Sequence, residues 1–91
     1  MVSRAKVYAA LDSERAYQEK RWNSNTTTTH GFHSLEEWAV YIDDYLQEMK
    51  NQLSRNAKQV GDPLALATLR KITAMGIAAM EQHGAPQREG F

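Results

Sequence analysis

The sequence predicts an all-α fold: an N-terminal helix followed by a long antiparallel helical hairpin, assembled as a homo-oligomer. Three observations carry that expectation. Leu35, Trp38, Ile42, Tyr45, Leu46, Met49 and Leu53 recur at spacings of three and four, which places them along one helix face. Ser34-Leu35-Glu36-Glu37 forms a capping box, in which the serine oxygen accepts a backbone N–H and Glu37 reaches back to the serine N–H. Gly84, with Pro86 beyond it, closes a second long helical segment in the position where helices favour a left-handed residue.

The elements follow in order. Residues 3–22 read as the first helix, with Val7, Tyr8, Leu11 and Trp22 near one face and helix-forming Glu14, Arg15, Gln18 and Lys20 between them. At Glu14 and Gln18 the positions that should face a core are polar, so the stripe thins where an amphipathic helix is normally apolar. A polar loop covers 23–34, and the second helix covers 35–55. The stretch "NAKQVGDP" interrupts it. Asp62 as a cap and Pro63 as a first helical residue predict a third helix over 63–83, followed by a flexible tail over 85–91. Ala65, Ala67, Ala74, Gly76, Ala78 and Ala79 surround Leu69, Ile72, Met75, Ile77 and Met80, a pattern of a helix buried on more than one side. A second subunit is the expected cover for the side that two helices of one chain leave open.

Ninety-one residues read as one small helical domain, with a modest share of surface to bury on its own. Eleven Lys and Arg balance eleven Asp and Glu, so no global basic field exists for duplex nucleic acid and no polybasic anchor for a membrane. An anion would have to be held locally. The absence of cysteine removes disulfides and thiolate metal sites and fits a reducing, cytoplasmic compartment. No apolar run approaches the roughly 20 residues that span a bilayer.

Candidate chemistry gathers in three places. Glu37, Asp44 and Glu48 fall along one stripe of the second helix and could hold Mg²⁺, but the facing helix offers Arg70 and Lys71 and no acid between Asp62 and Glu81. Cations there repel a metal and attract phosphate. His30 and His33 stand across a glycine without a zinc-binding spacing, and His83 suits the negative end of a helix dipole, so no metal site is expected. The first helix carries Tyr8 and Tyr17 as ring faces for stacking a base, beside Arg15, Lys20 and Arg21 as cations for phosphate. Thr27, Thr28 and Thr29 add hydroxyls in a loop that ends at a helix N-terminus, itself attractive to anions. Arg70 and Thr73 of the third helix complete the expected ligand set.

Glu14, Arg15, Gln18 and Trp22, the His-containing loop, "EEW" at 36–38 and the helix "LRKITAMGIAAMEQHG" together resemble short phage proteins distantly related to the all-α MazG-like nucleotide pyrophosphohydrolases. That resemblance implies a nucleotide-related pocket, with Mg²⁺ held by paired acids. Here Asp43, Asp44 and Glu48 depart from the family's acidic spacing, and Leu69 to Ile72 carry no acid. By size and architecture the chain also resembles the phage anti-CBASS and anti-Thoeris sponges. Those sequester cyclic oligonucleotide or ADP-ribose signals between subunits without catalysis, in the host cytoplasm. The resulting expectation is a non-enzymatic, cofactor-free nucleotide sponge. A Mg²⁺-dependent hydrolase using Glu37, Asp44 and Glu48, or a protein-binding inhibitor, is the alternative.

Overall fold

The computed structural model describes residues 1–22, 31–55 and 58–90. These form three helices and no strand: α1 (Arg4–Arg21), α2 (Leu35–Arg55) and α3 (Lys58–His83). Among the described residues, no helix is long and apolar enough to cross a membrane.

Each helix boundary has a local cause. Ser3 caps α1, its Oγ accepting from the Lys6 N–H at 3.2 Å. Trp22 closes the helix as its C-cap, donating its backbone N–H to the Gln18 carbonyl at 2.8 Å. The capping box that begins α2 is present in both directions: Glu37 N–H donates to Ser34 Oγ at 3.1 Å, and Ser34 N–H donates to Glu37 Oε1 at 2.9 Å. At the far end of α3, Gly84 adopts φ +124° and returns its N–H to the Met80 carbonyl.

The start of α3 departs from the sequence expectation. The helix does not begin at Pro63 but runs from Lys58, with Pro63 inside it. Proline's fixed φ suits helical backbone, but Pro63 lies past the first turn of α3, so it forgoes one helical hydrogen bond and crowds the preceding turn at a cost of about 3 kcal/mol. The Asp62-Pro63 pair does not act as a start signal. The tail over 85–90 is exposed and non-helical, and residues 23–30 of the expected loop lie outside the described residues.

Packing is densest between α2 and α3. Trp38, near the start of α2, and Gln82, near the end of α3, share a 2.8 Å hydrogen bond. Thr68 near the start of α3 donates to Gln52 near the end of α2 at 2.9 Å. The two helices thus run in opposite senses. Trp38, Met75, Ala78 and Ala79 are the buried cluster between them, with Trp22, Ile42 and Tyr45 packed against it. The apolar stripe of α2 is only partly used, for Leu35, Leu46 and Leu53 remain exposed. Much of the small-residue run of α3 is spent inside the chain: Ala74, Ala78 and Ala79 are all buried. An Ala78→Glu change therefore strikes the chain's own core rather than a subunit contact.

α1 attaches differently. Its buried residues are Leu11, Glu14 and Gln18. Arg70 Nε donates to Glu14 Oε1 at 2.7 Å, Gln18 Nε2 donates to the Lys71 carbonyl at 3.3 Å, and Arg15 Nε donates to Glu81 Oε1 at 2.7 Å. The polar residues that thin the sequence stripe are thus the ones that bind α1 to α3.

Gln82 ties three segments together. Its Oε1 accepts from Trp38 Nε1 at 2.8 Å and from the His33 N–H at 3.2 Å, while its Nε2 donates to the Gly31 carbonyl at 2.9 Å. Gly31 has φ +82°, and a Cβ there would drive into the Trp22 carbonyl, so only glycine lets the chain turn this close to the end of α1.

Two outcomes follow from these contacts. Gln82→Leu keeps the bulk but leaves the Trp38 indole N–H without its acceptor, and should lower stability by about 2–4 kcal/mol, read as a urea midpoint shift at unchanged slope. An unchanged midpoint would contradict the linking role. Hydrogen bonds from the Ser34 backbone and then from its hydroxyl hold the Glu37 carboxyl below its ordinary value, with His33 assisting. A lowered native pKa contributes stability that is whole above the unfolded glutamate value of about 4.3 and fades as pH falls through the native value. Glu37→Gln should therefore flatten the acid limb of a pH-stability profile while changing the neutral plateau less.

Candidate functional site

Where α1 ends, it leans over the groove between α2 and α3, and a cleft forms there. One cavity of about 230 Å³ is lined by Glu14, Tyr17, Gln18, Arg21, Trp22, Tyr45, Lys71 and Met75. A neighbouring cavity of about 260 Å³ is lined by Trp22, His33, Trp38, Tyr41, Tyr45 and Met75. Trp22, Tyr45 and Met75 are the wall both share. Jointly the two fall within the size range of small-ligand sites, roughly 300–1,000 Å³.

One end of the cleft is aromatic. Trp22 and Trp38 lie 6.0 Å apart between ring centroids at a 56° tilt. The His33 ring stands edge-on to Trp38 at 5.0 Å and to Tyr41 at 5.1 Å. Trp38 itself is 1 % exposed and belongs to the core. The faces open to a ligand are those of Trp22, Tyr41 and Tyr45. Such a wall suits a flat ring held by stacking.

The other end is polar and charged. The Lys71 ammonium sits over the Tyr45 ring, 5.8 Å from its centroid, and Arg21 reaches the cleft from the last turn of α1. Beneath them lie Glu14 and Gln18, both buried. Glu14 has one carboxylate oxygen engaged by Arg70. The cleft therefore brings ring faces, the Arg21 and Lys71 side chains and the buried Glu14 carboxylate, paired to Arg70, into a single volume.

His33 adds an unusual group. Its Nδ1 is buried without a hydrogen-bond partner among the described residues and lies 3.9 Å from a Glu37 oxygen. Its backbone is fixed from the other side, where His83 Nε2 donates to the His33 carbonyl at 2.7 Å and the Phe32 and His83 rings approach to 5.3 Å.

The expected ligand residues divide between places. Tyr17 and Arg21 line the cleft. Tyr8 is exposed on α1 and lines neither cavity of the cleft. Arg15 is occupied by Glu81 and Glu19, and Arg70 by Glu14, so each of these guanidinium groups already serves a carboxylate. Thr73 donates back to the Leu69 carbonyl at 2.8 Å and borders a different groove. Lys20 is exposed and does not line the cleft. Thr27, Thr28, Thr29 and His30 lie outside the described residues.

The acids of the hydrolase alternative are dispersed. Glu37 serves the helix cap, while Asp44 and Glu48 are exposed, Glu48 accepting from Gln52 at 3.4 Å. Among the described residues, no three His, Asp or Glu side chains are grouped closely enough to hold a metal ion.

Reading the sequence residue by residue missed Tyr41, Tyr45 and Lys71 as cleft residues. Tyr45 sits on the apolar stripe and Lys71 beside Arg70, so each had a simpler role. The signal that could have found them is the convergence of polar Gln18 with aromatic Trp22 on one side of α1. No family model matches the chain, and no curated protein or solved structure matches it either.

Proposed function

We propose that the cleft captures a nucleotide-derived anion without transforming it. The observation that carries this reading is the placement of the Trp22 and Tyr45 rings in one cavity with Lys71 and Arg21. A base stacks against the Trp22 and Tyr45 faces, a contribution of about 1–3 kcal/mol per base in single-stranded nucleic-acid binding. The phosphate meets the Lys71 ammonium, which moves off the Tyr45 ring to reach it, and the Arg21 guanidinium, whose planar fork matches phosphate oxygens. The role of phosphate contact passes from Arg15 and Arg70, which do not line the cavity, to Lys71 and Arg21, which do.

The biological form of this activity is sequestration of a signal molecule of the cyclic oligonucleotide or ADP-ribose type. Stacking and the two cations favour holding such a molecule, with the opposing Glu14 carboxylate offset by its pairing to Arg70. Hydrolysis would further require acids converging on a metal, and Glu37 is committed to its cap.

Isothermal titration against cyclic dinucleotides, cyclic trinucleotides and cyclic ADP-ribose isomers tests the reading. At least one should bind, and Lys71→Gln, at a partly exposed position, should weaken that binding about tenfold, a change of about 1.4 kcal/mol. Trp22→Ala should weaken it at least as much. Silence across the panel would overturn the proposal, and pyrophosphate release from a nucleoside triphosphate with Mg²⁺ would replace it with the hydrolase.

A further inference from the structure

Along α3 the residues Leu66, Leu69, Thr73, Gly76 and Met80 alternate spacings of three and four, the period of a seam between two helices. The chain itself leaves this stripe open. Leu66 is 64 % exposed, Leu69 40 % and Met80 47 %, and a Cβ built on Gly76 meets nothing within 4 Å. Near its N-terminal end the stripe widens into a groove of about 610 Å³, where Val2, which precedes α1, and Val7 and Ala10 of α1 line the same space as Leu66 and Leu69.

Two further facts point to what covers it. α1 spans 18 residues yet buries Leu11 as its one apolar anchor, alongside Glu14 and Gln18. Ordering a helix of that length costs more than one leucine recovers, so α1 needs apolar cover beyond its own chain. The groove beside the stripe is lined mainly by apolar side chains from both helices, and Val2, Val7, Leu66 and Leu69 in it are all exposed, so what covers it must be apolar.

We propose that this stripe is a self-association seam, in which α3 of a second copy packs on α3 across a two-fold axis with Gly76 at the closest approach. The stripe is suited to its own copy. Small Thr73 and Gly76 at its centre let two backbones come close, and the larger Leu66, Leu69 and Met80 flank that centre on both sides. A net charge of zero removes the repulsion that two copies of a strongly charged chain would feel. The seam lies apart from the aromatic cleft, so it stands whether or not the cleft binds a nucleotide.

Sedimentation equilibrium of the purified chain at micromolar concentration should give a mass at least twice 10.3 kDa. Leu69→Glu should reduce it to the single-chain mass with the helical circular dichroism retained, since Leu69 lies outside the buried cluster. The chain has no cysteine, so Gly76→Cys should give a disulfide-linked dimer on mild oxidation. This second variant keeps the test decisive if Leu69→Glu unfolds. A native chain at single-chain mass would overturn the proposal, as would a Leu69→Glu chain that keeps the native mass or a Gly76→Cys chain that stays unlinked.

Discussion

The Gln82 amide is the constraint on which the rest of the described structure depends. One side chain satisfies the indole N–H of the most buried aromatic residue, a backbone N–H at His33 and a backbone carbonyl at Gly31. A buried donor left without a partner costs about 1–3 kcal/mol, so these bonds matter chiefly through what their absence would leave behind. They also fix geometry. Trp38 is held at one orientation in the α2–α3 core, and the chain entering α2 is drawn against the end of α3. The cleft inherits both, because its aromatic end is built on Trp38, His33 and Tyr41.

The two attachments within the chain obey different physics, and this shapes what the protein can do. α2 and α3 meet through Trp38, Met75 and alanines, an apolar contact reinforced by the Trp38–Gln82 and Thr68–Gln52 hydrogen bonds. α1 meets α3 through Glu14–Arg70, Arg15–Glu81 and the Gln18 amide. Such contacts select one docking position more than they add stability, since ion pairs repay little beyond their desolvation. The same docking carries Trp22 and Arg21 to the cleft. A polar hinge between α1 and the core thus places half of the candidate site, and α1's outer apolar residues remain for another surface to cover.

Much of the fold was legible because its signals are local. Ser34 and Glu37 announce α2, the Leu35–Leu53 stripe sets its face, and Gly84 ends α3. The start of α3 was not legible, because Asp62 and Pro63 are also compatible with helix interior near an end. Nor was the engagement of Arg15 and Arg70, whose partners lie 66 and 56 residues away in the chain. Sequence supplies cations without showing which carboxylates claim them. The polar anomalies at Glu14 and Gln18 were visible and did mark a special surface, though their first role is structural. The small-residue run of α3 signalled burial correctly, but the alanines face the chain's own helices, and the open seam is the neighbouring stripe through Leu66, Leu69 and Gly76.

The central claim is that one aromatic wall of the cleft receives a ligand while the other is locked by Gln82. The two tryptophans report on this separately. In a nitrogen–proton NMR correlation spectrum, titration with a cyclic dinucleotide should move the Trp22 indole resonance progressively and leave that of Trp38, bonded to Gln82, nearly in place. A spectrum in which neither indole moves, or in which Trp38 moves and Trp22 does not, would contradict the account.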